Sequence, residues 1–152
     1  MSDALQRNSE PRARYLVNGK LTGQSALPNP IQNRGFRFAD GFFETIRIAH
    51  GKAQHLQLHF NRITNSLQAH RINKPVDFDL NSFSHAIDTL TLTQANALNQ
   101  GGRIRASFIR DGGGRYTPES NDLMWVAECE SMDQNEFCIN EKGIAVDLFS
   151  DM

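Results

Sequence analysis

The chain has 152 residues, 39% hydrophobic and 22% charged, enough for one domain and a small part of another. Its 16 basic residues against 17 acidic ones give a net charge of −1, which excludes a general polyanion-binding surface. Cys129 and Cys138, the two cysteines, make neither a metal framework nor a disulfide scaffold, and reduced thiols in a cytoplasmic protein are the expectation.

No apolar run is long enough to span a bilayer, and the N-terminus lacks the hydrophobic core of a signal peptide. Residues 1–13 are polar and contain Pro11, so disorder is expected there. Tyr15-Leu16-Val17, then Asn18-Gly19 and Leu21, predict a short β-hairpin opening a domain over 14–130. Pro28 and Pro30 predict a loop through 23–33, since proline fixes its own φ and restricts the residue before it. Asn33-Arg34-Gly35 then delivers the chain to the central strand.

Asp40-Gly41 is a turn signal, and Phe42 to Ile48 is β-branched, aromatic or alternating, which is strand chemistry. Alternation places Phe42, Glu44, Ile46 and Ile48 on one face and Phe43, Thr45 and Arg47 on the other. A ring, a small hydroxyl and a guanidinium suit the wall of a pocket for a flat, anionic ligand. The same pattern fits a half-exposed hairpin with a surface arginine. A turn at Gly51-Lys52 leads into a second strand around 53–56.

Leu56, Phe60, Ile63 and Leu67 repeat at helical spacing and predict a helix over 58–71. Arg62 lies off that apolar face near the helix start, where an anion also meets the positive end of the helix dipole. Simple solvation of Arg62 is the alternative. Leu80, Phe83, Ile87 and Leu90 predict a second helix over 79–99, weakest at its threonines between 89 and 93.

The run from Gly102 to Arg110 predicts a strand with Ile104, Ala106, Phe108 and Arg110 on one face and Arg103, Arg105, Ser107 and Ile109 on the other. Arg103 and Arg105 would lie roughly 6–7 Å apart and repel each other unless an anion sits between them. The triple glycine 112–114 lacks the spacing of a phosphate loop, and no helical pattern follows it. Residues 122–129 are nearly continuously apolar and predict a buried strand. Residues 131–152 read as a polar linker followed by strand-like pieces at 144–149, the first strand of a further domain.

Five pieces now stand in order: Arg34-Gly35-Phe36 with Asp40-Gly41-Phe42-Phe43-Glu44-Thr45-Ile46-Arg47, a Gly-Lys turn, His59-x-x-Arg62-Ile63, Arg103-Ile104-Arg105, and Arg110 to Tyr116 with Pro118. Together they resemble the small N-terminal domain of the class IV (fold type IV) pyridoxal-phosphate enzymes. That family includes branched-chain aminotransferases, D-amino-acid aminotransferases and aminodeoxychorismate lyases. The resemblance implies that Arg62 grips the phosphate of pyridoxal 5′-phosphate. It implies that Phe43, Thr45, Arg47, Arg103 and Arg105 are substrate-binding, with Arg105 the carboxylate anchor. Arg103 stands where branched-chain enzymes carry an aromatic residue, and the Arg-x-His pattern of D-amino-acid enzymes is missing. The glycine loop with Tyr116 and Pro118 is closer to the lyase and branched-chain side.

The family's covalent lysine lies on its large domain, and none of Lys20, Lys52, Lys74 and Lys142 stands in that context. The expectation is therefore an incomplete chain with no catalytic residue and no metal ligand of its own. Implied substrates are an amino acid with a 2-oxo acid, or aminodeoxychorismate. The parent enzyme would be a cytoplasmic homodimer with no nucleic-acid or membrane partner. The competing reading is a stand-alone, non-catalytic domain binding a small anion or a protein. Either way the expected architecture is α+β, an antiparallel sheet with two helices on one face. Its core would include Leu16, Phe42, Ile46, Phe60, Ile63, Leu67, Phe83, Ile87, Phe108 and Trp125.

Overall fold

The computed structural model describes residues 15–133, 136 and 141–147. Six strands form one antiparallel sheet in the order β2-β1-β6-β5-β3-β4. The hairpin β1 (Tyr15–Val17) and β2 (Lys20–Thr22) turns at Asn18-Gly19, both at positive φ, as the Asn-Gly signal requires. β3 (Gly41–Ala49) and β5 (Gly102–Arg110) pair along nearly their whole length, and β6 (Leu123–Ser131) joins β5 to β1. β4 (Lys52–Ala53) is only a two-residue cap on the end of β3, shorter than the strand expected over 53–56.

The register explains the core. Leu16, Ala127, Ala106 and Glu44 lie opposite one another across four strands, as do Trp125, Phe108 and Phe42. These rows, with Ile104 and Ile46, face two helices: α2 (Leu56–Ala69) and α3 (Leu80–Thr93). Phe60, Ile63 and Leu67 of α2 and Phe83, Ile87 and Leu90 of α3 are buried against them. The expected α+β architecture is therefore present, and nine of the ten expected core residues are buried. Phe42 is the exception: it is half-buried, stacked 5.2 Å from the Phe108 ring at the margin of the cluster.

Some boundaries differ from expectation. α2 begins at Leu56, two residues early, with His55 before it in the left-handed region. α3 opens on a capping box in which the Asp79 side chain accepts from Ser82 N and Ser82 Oγ accepts from Asp79 N. It stops at Thr93 rather than reaching 99. Thr89, Thr91 and Thr93 each donate to the carbonyl four residues earlier, which satisfies their hydroxyls within the helix, and turns follow.

A short helix, α1 (Arg34–Phe38), occupies the approach to β3 that the sequence left irregular; the Asn33 side chain accepts from Gly35 N at 2.7 Å and caps it. β6 is buried along its helix-side face at Leu123, Trp125 and Ala127, whereas its other face is buried only at Met124 and opens through half-buried Val126 to exposed Glu128. Residues 141–147 hold a turn at Glu141-Lys142 and no strand, so the strand expected at 144–149 does not form across its described part; 148 and 149 lie outside the described residues.

One buried ionic cluster ties these elements together. Asp40 accepts from Arg34 Nε at 2.7 Å and from Arg110 Nε at 3.1 Å. Arg34 Nη1 also donates to the carbonyls of Gly113 and Gly114, and Arg110 donates to those of His70 and Arg71. Burial alone would raise the Asp40 pKa, but bonds from Arg34 and Arg110 and their charges outweigh it and hold the carboxyl below its ordinary value. The glycine loop, the end of α2 and the start of β3 thus share one anchor.

Candidate functional site

The two faces of β3 carry two different sets of polar groups. On the face away from the helices, the register places Thr45, Arg105, Glu128 and Tyr15 in one row and Arg47, Arg103 and Glu130 in the next. Phe43, Ser107 and Val126 form a third row. The sheet face therefore divides into a charged half and an apolar half.

In the charged half, Arg103 Nε donates to Glu130 Oε2 at 2.6 Å, directly across the strand pair. Arg105 does something else. Its guanidinium carbon sits 3.7 Å from the centroid of the Phe43 ring, and among the described residues it forms no ion pair, although Glu128 is its cross-strand neighbour. Cation–π stacking fixes the plane of the guanidinium and leaves its N–H edges for another acceptor. A pocket of about 210 Å³ is lined by Thr45, Arg103, Arg105, Glu128 and Glu130 among others. The apolar half continues into a groove of about 650 Å³ bordered by Phe36, Phe43, Ile109 and Val126. Arg47 turns away from this pocket, toward Met132 Sδ and the Glu136 carbonyl.

On the helix side, Glu44 is a carboxylate in an otherwise apolar row, its side chain only 5% exposed. A buried charge needs partners, and α2 supplies two. Arg62 donates through Nε to Oε1 at 2.8 Å and through Nη2 to Oε2. His59 Nδ1 donates to the same Oε2 at 2.7 Å. Burial alone would raise the Glu44 pKa, but bonds from Arg62 and His59 together hold the carboxyl below its ordinary value. The Arg62 side chain remains 67% exposed, and its Nη1 has no hydrogen-bond partner among the described residues.

The structure thus brings Phe43, Thr45, Arg103 and Arg105 together and sets Arg62 on the other side of β3. Between the two lies the outer edge of β3 from Gly41 to Ile46, which no described strand pairs. This edge separates the side of β3 that carries Arg62, bonded to Glu44, from the face that carries Arg105. The donor set fits a phosphorylated, carboxylate-bearing ligand: one exposed guanidinium fork, and a second, stacked guanidinium that forms no ion pair among the described residues. Glu44 and His59 had no role in the sequence reading; the available signal was an acid on the core face of an apolar strand. Among the described residues no group of three or more His, Cys, Asp or Glu could hold a metal ion, and no helix is long and apolar enough to cross a membrane.

The family model described as amino-transferase class IV matches residues 41–136. No curated protein sequence matches. Among solved structures, a hypothetical aminotransferase from Mycobacterium tuberculosis in its PLP-bound form is 18% identical with a TM-score of 0.62, covering 78% of this chain and 39% of that one. A branched-chain aminotransferase from Thermoproteus uzoniensis, solved with norvaline, is 15% identical with a TM-score of 0.66, covering 78% and 40%. A 4-amino-4-deoxychorismate lyase from Pseudomonas aeruginosa is 21% identical with a TM-score of 0.55, covering 77% and 39%. At these identities the likeness is one of fold, and the chain spans about two fifths of each matched chain's length.

Proposed function

The chain belongs to the class IV aminotransferase family, and from that membership we propose that it is the small domain of a pyridoxal-phosphate-dependent enzyme acting on an amino acid and a 2-oxo acid, or on aminodeoxychorismate. The observation that carries the reading is the stacked Arg105: a guanidinium held over Phe43, without an ion-pair partner among the described residues, on one sheet face with Thr45. Pyridoxal phosphate, when bound, supplies the electron sink for negative charge at the substrate Cα. The covalent lysine is assigned to a large domain.

The residues of this chain take separate tasks. Arg62 meets the phosphate with its exposed edge, as a planar fork meets a tetrahedral anion. Arg105 orients the substrate carboxylate, and Phe43 keeps the guanidinium flat beneath it. Thr45 offers a hydroxyl in the same row. Arg103, already matched by Glu130, keeps the charged half close to neutral so that a single carboxylate is favoured at Arg105. Arg47 borders this site while its side chain holds the segment after β6. The apolar groove beside Phe43 takes the substrate's carbon skeleton. Phe36, 72% exposed next to that groove, supports a homodimeric enzyme in which a second subunit covers it. Two cysteines that form no metal or disulfide framework in the sequence, together with ordinary charge, support a cytoplasmic setting.

The split between the two arginines is testable in the enzyme carrying both domains. Arg62→Ala should weaken cofactor binding about ten- to a hundred-fold and leave substrate preference alone. Arg105→Ala should raise KM for the carboxylate substrate and leave cofactor affinity nearly unchanged. Cofactor titration and steady-state kinetics on both variants check the pair. Equal loss of cofactor in both, or no effect in either, would contradict the assignment.

A further inference from the structure

A guanidinium has five N–H donors and two forked edges that can meet an oxyanion. In Arg62 the edge formed by Nε and Nη2 is already closed on the two oxygens of Glu44. The edge formed by Nη1 and the second hydrogen of Nη2 remains. The carboxylate cannot swivel either, because His59, one turn earlier on the same helix, holds Oε2 from the other side at 2.7 Å. Glu44 itself is fixed by its strand: it stands in register with Ala106, Ala127 and Leu16, all fully buried.

We infer that Glu44 is a positioning residue for anion binding, setting the plane and direction of the Arg62 guanidinium so that its remaining fork is the one offered to phosphate. The inference rests on the reading that Arg62 meets the cofactor phosphate. Two physical effects of Glu44 oppose each other. A carboxylate on the far edge lowers the positive potential of Arg62 and would by itself weaken phosphate binding. Pre-orientation of a long side chain, otherwise free to sample many rotamers while 67% exposed, strengthens it. Orientation wins here because Glu44 is nearly excluded from water and clamped at three points, so the fork geometry is set before the ligand arrives. His59 acts through Glu44 in the same way, at one step further.

The test is a double-mutant cycle on the dissociation constant of pyridoxal 5′-phosphate in the full-length apo-protein, read by absorbance titration. Glu44→Gln keeps the volume but loses the charge and one acceptor oxygen. It should weaken binding roughly threefold to tenfold. In an Arg62→Ala background the same change should have almost no further effect, because there is no guanidinium left to orient. A purely structural role would instead lower affinity to the same extent in both backgrounds. If Glu44→Gln does not fold, His59→Ala replaces it in the cycle, with an expected loss of about two- to threefold that again vanishes without Arg62. Loss in Arg62→Ala with unchanged or tighter binding in Glu44→Gln overturns the positioning role and leaves the phosphate role of Arg62 standing. No loss in Arg62→Ala overturns both.

Discussion

Arg103 and Arg105 are two residues apart on one strand face, and strand alternation by itself treats them alike. The structure separates them by what lies across the sheet. Arg103 has Glu130 at bonding distance, whereas Arg105 leans to the opposite neighbour and stacks on Phe43. Strand alternation made the shared face legible; the choice of partner was not, because it depends on β6 and β3 flanking β5. Glu44 was hidden in the same way, since its partners His59 and Arg62 follow 15 and 18 residues later, on a helix. Cys129 illustrates the reverse, a residue whose chemistry is suppressed by its place. Burial, reinforced by the neighbouring Glu128 charge, pushes its thiol pKa up to about 12. At pH 8 the thiol should therefore stay protonated and resist alkylation by iodoacetamide in the folded protein, while unfolding in denaturant exposes it to rapid reaction. Peptide mapping by mass spectrometry reads this directly; fast native labelling at Cys129 would contradict its burial.

At the scale of elements, the two long helices were legible because each carries an apolar stripe at helical spacing. Their ends were not. The stripe of α3 continues in Leu98, which is buried, although the helix itself has stopped at Thr93 and the intervening chain is turned. Helix α1 left only a cap as its trace: five residues contain too little periodicity to register, but Asn33 carries the side-chain acceptor that a helix start uses. What fastens α3 to the sheet is aromatic. The Phe83 ring lies 5.5 Å from Trp125, 5.8 Å from Phe60 and 5.8 Å from Phe78, and it is fully buried. Phe83→Ala should cost about 3–5 kcal/mol, a large share of the stability of a domain this size. Leu92→Ala on the same helix, at an exposed position, should stay within about 0.5 kcal/mol. Urea denaturation of both variants checks the contrast, and similar midpoints for the two would show that α3 does not dock through Phe83.

For the whole molecule, the sheet acts as a partition. Its helix side holds the apolar core with one clamped carboxylate, and its other side holds the divided charged and apolar face. The α+β class and the family resemblance were legible because short motifs stood in the right order along the chain. The partition of the site across β3 was not, since it requires knowing that β3 is paired to β5 on one side and that no described strand pairs its other side from Gly41 to Ile46. The phosphate side and the carboxylate side of the proposed site meet along that edge. The most direct measurement is a crystal structure of the complete enzyme with a phosphopyridoxyl amino-acid adduct bound. The adduct should lie along the outer edge of β3, with a phosphate oxygen in hydrogen-bond reach of Arg62 Nη1 or Nη2 and the amino-acid carboxylate against the Arg105 guanidinium. A phosphate held away from Arg62, or a carboxylate on the helix side of the sheet, would contradict it.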